Sequence, residues 1–402
     1  MHLNAPLVYV ICGESSGDQL AADVLRALRV KLPSLRIRGV TGPALESLGV
    51  ESFASYHALA LTGITEIVSS LPALWRLAAR LEADIRHQRP AMLLLVDAPG
   101  FNLRFVQRLQ NLNMVRVQLV SPQIWAWRPG RIDITKKYVN HILLLFAFEQ
   151  ALYARAGVPH TWIGHPLVDR QLQAAGRLAT PSFHERHPVV ALLPGSRPHE
   201  LRRHLPPLLQ AARLLHQRQP QLSFTLVVAP GVDRRWLRHL LERLLCGQTL
   251  PLRWEEKPVM EVLPDVRAAW VASGTATLEA ALSGTPHVVI YKVSWWTWWV
   301  GRLLVRGVEG LGMGNILAGK KLVPELLQRL DPSKLVSILE PWLTDPHQWQ
   351  EQHQKLLQIR TLLGPPGAAT RAAEVLEQLL NPSSTSLGAP TAPPEQTQSD
   401  PG

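Results

Sequence analysis

The chain has 402 residues, enough for two domains of ordinary size, and its 46% hydrophobic and 18% charged residues exclude a disordered protein. A net charge of +11 directs the surface toward something acidic: nucleic acid, phosphorylated metabolites or an anionic membrane face. No zinc-finger spacing or RNP-type motif occurs and the arginines are dispersed, which argues against nucleic acid.

Cys12 and Cys246 are the only cysteines, far apart and in no metal-ligand pattern, so the expectation is a reducing compartment with no metal and no cofactor. The opening MHLNAPLVYVICGESSGD lacks a charged leader and reads directly as strand and loop, against a signal peptide. Lys292 and Arg302 interrupt the longest apolar stretch near Val288–Val305, so no transmembrane helix is expected. The expected location is cytoplasmic, peripheral at most on a membrane surface.

In chain order, LVYVIC is a strand, GESSGD a loop, and Gln19–Leu32 an amphipathic helix, the opening of a doubly wound sheet. The loop carries Glu14, Ser15 and Asp18 and suits sugar hydroxyls better than phosphate; helix capping by Asp18 is the alternative reading. RIRGV is a second strand, followed by a loop and short helix in TGPALESLGVESF. The next helical stretch places Ile64, Ile67, Val68, Leu71 and Trp75 on an apolar face with arginines beyond it, a pattern fit for a membrane interface, while Leu77 and Leu81 are read as buried.

AMLLLVD reads as a central parallel strand that delivers Asp97 to its carboxyl end, where ligands of open α/β sheets gather and where burial lifts a carboxyl toward a working base. Asn102 stands beside it. VRVQLV precedes the Trp-rich loop SPQIWAWRPGR, and HILLLF and TWIGHPLVD complete the first half. His165 in that last segment is a candidate for orienting a ligand, against a structural role beside its proline. The polar, small-residue segment after it reads as an interdomain linker.

A second set of strands follows: VVALLP, SFTLVVAP, LRWEE, AAWVAS and HVVIYK. Two of them end in small-residue loops that open helices, Gly195–Ser196–Arg197 and Ser273–Gly274–Thr275, and such helix starts attract anions. Arg197 offers a planar fork for phosphate, and Glu279, one turn beyond Thr275, is placed to accept hydrogen bonds from a ribose. Trp295, Trp296, Trp298 and Trp299 crowd five positions and read as an interfacial belt or a helix against the other domain. Gly312, Gly314 and Asn315 read as a flexible loop near the nucleotide, followed by helices to about Leu380 and a Pro/Ser/Thr-rich tail. The expected organisation is α/β, with two Rossmann-like domains facing a cleft: residues 1–170, a linker 171–188, 189–330, helices 331–380, and a disordered 381–402.

GESSGD, LTGITEIV, DAPGFN, SPQIWAWRPGR, FEQALYARAGVPHTWIGHPLVD, LLPGSRPHEL, ASGTATLEAALSGTP and NILAGKKLVPELLQ, in that order, resemble lipid-A-disaccharide synthases over nearly all of Leu7–Leu330. The resemblance implies a GT-B glycosyltransferase, peripheral on the inner face of the cytoplasmic membrane. It implies transfer of diacylglucosamine from its UDP carrier to diacylglucosamine 1-phosphate, giving a β-1,6-linked disaccharide and UDP. It further implies that Asp97 is the general base, that Arg197, Glu279 and Asn315 serve the UDP side, and it leaves a homodimer open. The chain departs from the family pattern at Ser15, at Gly100, where a second acid is usual, and at Ala147. The rival readings are a UDP-sugar epimerase or peptidoglycan-type glycosyltransferase of the same fold, and a catalytically idle nucleotide- or lipid-binding membrane protein.

Overall fold

The continuous apolar runs become strands buried along their whole length, as a parallel sheet covered on both faces requires. A computed structural model of the chain describes residues 5–59, 64–122, 130–175, 180–292 and 312–381, with the backbone alone for 64–71 and 175. The first half runs β1 (Leu7–Cys12), α1 (Ser15–Lys31), β2 (Arg36–Thr41), α2 (Pro43–Ser47), β3 (Glu51–Ser55), α3 (Ile64–Gln88), β4 (Met92–Val96) and α4 (Pro99–Arg108). It continues with β5 (Val115–Leu119), α5 (Arg131–Tyr138), β6 (His141–Leu144), α6 (Gln150–Ala156), β7 (His160–Trp162) and α7 (Pro166–Ala175). The seven strands form one parallel sheet in the order β3-β2-β1-β4-β5-β6-β7.

The second half comprises β8 (His187–Leu193), α8 (Pro198–Arg218), β9 (Ser223–Val227), α9 (Arg234–Leu245), β10 (Leu252–Glu255), α10 (Val259–Val262) and β11 (Val266–Ala272). Then come α11 (Thr275–Leu282), β12 (His287–Tyr291), α12 (Met313–Ala318) and β13 (Glu325–Leu327). Its parallel sheet has the order β10-β9-β8-β11-β12-β13. Both sheets are therefore doubly wound, and in each the strand order reverses at the centre, between β1 and β4 and between β8 and β11. Register keeps the central pairs level: Cys12 lies opposite Val96, and Leu193 opposite Val271. Four loops consequently leave the carboxyl ends of those strands at the two reversal points.

Three helices close the chain: α13 (Pro332–Thr344), α14 (Pro346–Leu363) and α15 (Ala368–Leu380). α13 packs on α8 and β11, α14 on α11, and α15 returns to the first half to lie on α1 and α7. The length predicts a core for each domain; besides clusters confined to each half, one cluster spans both. Leu20, Leu25 and Leu28 of α1 share one apolar cluster with Leu278 and Leu282 of α11 and with Ala372, Ala373 and Leu376 of α15. α14 and α15 bury their apolar faces in this cluster and so join the two halves, while α13 buries Leu335, Val336 and Leu339 in a cluster of the second half.

The segment expected as a linker is largely built. α7 runs on to Ala175, Phe183–Glu185 form a 3-10 turn capped by Ser182, and β8 starts at His187. Arg186, 2% exposed, donates to the carbonyls of Pro181, Leu263, Val266 and Ser283 and to Thr285 Oγ1, and its guanidinium lies over the Trp349 ring. Strands β3 and β13 were not legible in the pattern: the first is a partly exposed edge inside what reads as a loop, and the second has three residues.

The turn 364–367 that lets α15 cross back is fixed by two side chains of opposite charge. Asp169 of α7 accepts from the amides of Gly367 and Ala368, and Arg371 donates to the carbonyls of Ile163, Pro365 and Pro366. Asp169 thus caps a helix more than a hundred residues away. Asp169→Ala is expected to cost about 1–2 kcal/mol of stability, read as a lower denaturant midpoint; an unchanged midpoint contradicts the capping role.

Candidate functional site

At the reversal point of the first sheet, β4 hands over to two consecutive residues in left-handed conformation, Asp97 at φ 50° and Ala98 at φ 41°. A non-glycine pair of this kind is strained and persists only where its surroundings fix it. The Asp97 amide donates to the Leu119 carbonyl, while the Asp97 carbonyl accepts from Asn102 Nδ2 at 2.7 Å and Gln118 Nε2 at 3.4 Å. Gly13, at the end of β1, leaves the room that Ala98 needs: a Cβ there would lie 2.2 Å from Ala98 Cβ. The strain therefore aims one carboxylate at the sheet edge. Burial, and secondly the negative charge of neighbouring Glu14, push the Asp97 carboxyl up to about 6, against a hydrogen bond from the Ala98 backbone.

Other residues predicted on this wall divide. Glu14 and Ser15 are exposed at the start of α1, beside Asp97. Asn102 is fully buried; its Nδ2 holds the Val96 and Asp97 carbonyls, and its Oδ1 finds no partner among the described residues. It braces the backbone at Asp97 rather than reaching outward. Asp18 does not line the site: 2% exposed, it accepts from the amides of Gly42, Ala44 and Leu45 and caps α2, the alternative its type allowed. His165 is likewise structural, with Nδ1 accepting from the Leu167 amide, its ring beside Phe146, and burial pushing it down to about 3, hence neutral. Gly100 is exposed and a Cβ there meets nothing within 4 Å, so packing does not demand glycine where an acid is usual.

The second sheet supplies the other wall. After β11, Gly274 (φ 152°) turns the chain into α11, whose geometry leaves the first amides without intrahelical acceptors, with Gly274 and Thr275 exposed. Ser273 is anchored through its amide to the Ile290 carbonyl. Glu279, one turn on, is largely buried where α11 meets α7; burial pushes its carboxyl up to about 7, partly opposed by Arg170, which itself pairs with Asp23 of α1. The Gly195–Ser196–Arg197 turn opens α8 beside it, with the Arg197 side chain exposed. Buried His204, not singled out by the sequence pattern, ties this turn to the next strand: its Nδ1 bonds the Pro194 carbonyl and its Nε2 accepts from the Lys292 amide. A histidine between two leucines on an apolar helix face gave no signal of that role.

Asn315 corrects an expectation. Its Nδ2 donates to Val323 O and Glu325 Oε1 and its Oδ1 accepts from the amides of Leu322 and Val323, so all its hydrogen-bonding capacity is spent within its own loop. The segment is not a flexible loop but helix α12, braced at Gly312 by Glu325. Of the apolar surface candidates, Trp75 is 67% exposed with Arg108 near its ring, and Leu77 and Leu81 are buried as expected. The side chains of Ile64, Ile67, Val68 and Leu71, and all of Trp295, Trp296, Trp298 and Trp299, lie outside the described residues. No helix among those residues is long and apolar enough to cross a membrane.

The arrangement is a buried carboxyl group on one sheet edge and, on the other, two helix starts, one with an exposed guanidinium. Among solved structures, the chain resembles in fold an S. aureus MnaA–UDP co-structure (TM-score 0.62, 10% identity, 94% of this chain and 97% of that one) and the glycosyltransferase of kitacinnamycin (TM-score 0.60, 18% identity, 94% and 98%). The lipid-A-disaccharide synthetase family model matches residues 8–376. The chain is 38% identical over 387 residues to the lipid-A-disaccharide synthase of Myxococcus xanthus (strain DK1622), covering 94% of this chain and 99% of that protein. It is 34% identical over 385 residues to that of Syntrophus aciditrophicus (strain SB), covering 95% and 100%. With a doubly wound pair of sheets and a match along almost its entire length, the chain belongs to the lipid-A-disaccharide synthase family.

Proposed function

We propose that the chain is an inverting glycosyltransferase of lipid A biosynthesis. It moves a 2,3-diacylglucosamine unit from UDP to the 6-hydroxyl of 2,3-diacylglucosamine 1-phosphate and releases the β-1,6 disaccharide 1-phosphate and UDP. The observation that carries this is the strained, buried Asp97 at the reversal point of the first sheet, with a carboxyl near neutrality. In the reaction the Asp97 carboxylate takes the proton of the acceptor hydroxyl while that oxygen bonds the anomeric carbon. The carbon–oxygen bond to the diphosphate breaks on the opposite face, and its electron pair leaves with UDP. The Arg197 guanidinium and the first amides of α11 meet the developing charge. Glu14 and Ser15 belong to the acceptor side by position, and Glu279 to the ribose side.

Family membership supports a lipid-linked donor and acceptor. Exposed Trp75 and the net charge of +11 support operation against an anionic membrane surface, with the protein peripheral on the inner face of the cytoplasmic membrane. The deciding experiment is UDP release from UDP-diacylglucosamine with and without the monosaccharide phosphate. Release only with acceptor supports the transferase; conversion of the UDP-sugar alone supports an epimerase and overturns it.

Asp97→Asn is expected to lower kcat by roughly 10²–10⁴-fold while sparing UDP affinity. It should also raise the melting temperature at pH 8, because a carboxyl lifted from 3.8 to about 6 costs the fold up to about 3 kcal/mol once ionised. An Asn variant with ordinary turnover refutes the base.

The base works only when unprotonated, so kcat/KM should fall tenfold per unit below an acid limb near pH 6. Glu14→Gln removes a negative neighbour and should move that limb to lower pH; an unmoved limb assigns it to another group.

A further inference from the structure

The two anion-type loops of the second sheet are not equivalent. At α11 the amides of Thr275 and Ala276 have no acceptor among the described residues, and Thr275 is exposed. At α8 the corresponding donors are already engaged: the amides of Ser196 and Arg197 both donate to one oxygen of Glu200, at 3.0 and 3.2 Å, and the next residue, Pro198, has no N–H. The turn is shaped around that carboxylate. Gly195 adopts φ 112°, and a Cβ on it would lie 2.4 Å from Glu200 Oε2 and 2.9 Å from Glu200 Cβ. A diphosphate and the Glu200 carboxylate cannot both accept from these two amides.

We infer that Glu200 is a positioning residue of the donor site: its carboxylate braces the Gly195–Arg197 turn from within, so that α8 meets the diphosphate with the Arg197 guanidinium rather than with the Ser196 and Arg197 amides, while α11 supplies backbone amides. The inference rests on the donor reading above. It follows from donor counting: with the Ser196 and Arg197 amides held internally, the one charged donor left on the exposed turn is the Arg197 fork, and its base is held in place by the hydrogen bond from its own amide. Without the brace, the turn loses two charge-assisted hydrogen bonds and the glycine-permitted conformation has nothing to fix it.

The test is UDP affinity by calorimetry together with donor kinetics in Glu200→Ala and Glu200→Gln. Glu200→Ala should weaken UDP binding and raise the donor KM about tenfold, with kcat within about twofold and only the modest fall in melting temperature that loss of a helix cap brings. Glu200→Gln keeps an oxygen that accepts from both amides and should stay within about threefold of the wild type. UDP binding in Glu200→Ala as tight as wild type, or tighter, overturns the inference, because the carboxylate is then dispensable or competes with the diphosphate. A Gln variant as impaired as the Ala variant overturns it too, since charge and not the hydrogen-bonded brace would then matter. Arg197→Ala separates the layers: unchanged UDP affinity there sinks the donor reading itself, whereas a loss there with an intact Glu200→Ala sinks only the brace.

Discussion

A doubly wound parallel sheet cannot be assembled without a seam, because the crossover helices must leave the first-formed strand in opposite directions. In this chain the seams lie between β1 and β4 and between β8 and β11. Neighbouring helices diverge there, and loops from two adjacent strands meet with no helix covering them. The proposed site residues Glu14, Asp97, Arg197 and Thr275 leave the carboxyl ends of those four strands. Move the seam by one strand and the constellation dissolves.

The two seams carry opposite electrostatics. On the first, a carboxylate is buried and set beside another acid, so its proton is held until near neutrality. On the second, backbone amides and an exposed guanidinium await negative charge. The energetic cost is visible on the first wall: consecutive left-handed residues, a glycine that tolerates no Cβ, and a buried asparagine and glutamine spent on holding one carbonyl. The second wall is stabilised locally, by Glu200 within its own turn and by His204 to the next strand. Non-glycine backbone strain is thus concentrated at Asp97 and Ala98, whereas the positive φ of the second wall's two turns falls on Gly195 and Gly274.

The closing helices decide how the two walls face each other. The apolar faces of α14 and α15 join α1 and α11 in one cluster, and Asp169 and Arg371 pin the turn at which the chain crosses between halves. Arg186 does similar work for the connection in the other direction, satisfying backbone carbonyls that would otherwise be buried without donors. The polar segment that composition marks as a linker is thus mostly anchored structure.

The amino-acid sequence by itself determined the class of fold and the strand ends at which the candidate residues stand. Unbroken apolar runs such as MLLLV can only be strands covered on both faces, and a small-residue turn between such a run and a helix marks a ligand edge. That local logic found Asp97, Arg197 and the Thr275 loop, because each follows its strand directly. What only the tertiary structure decided were the partners of polar side chains over long separations. Asp18 and Asn315 have the right residue types in the right loops, yet their hydrogen-bonding atoms are consumed by Gly42–Leu45 and by Leu322–Glu325, and His165 is silenced by burial. Nor does any local pattern say that Asp169 caps a helix beginning at Ala368, or that α15 belongs to the first half's core. Spacing along a chain fixes which residues share an edge or a face; whether a polar atom there is still available depends on groups that folding alone brings within hydrogen-bonding distance.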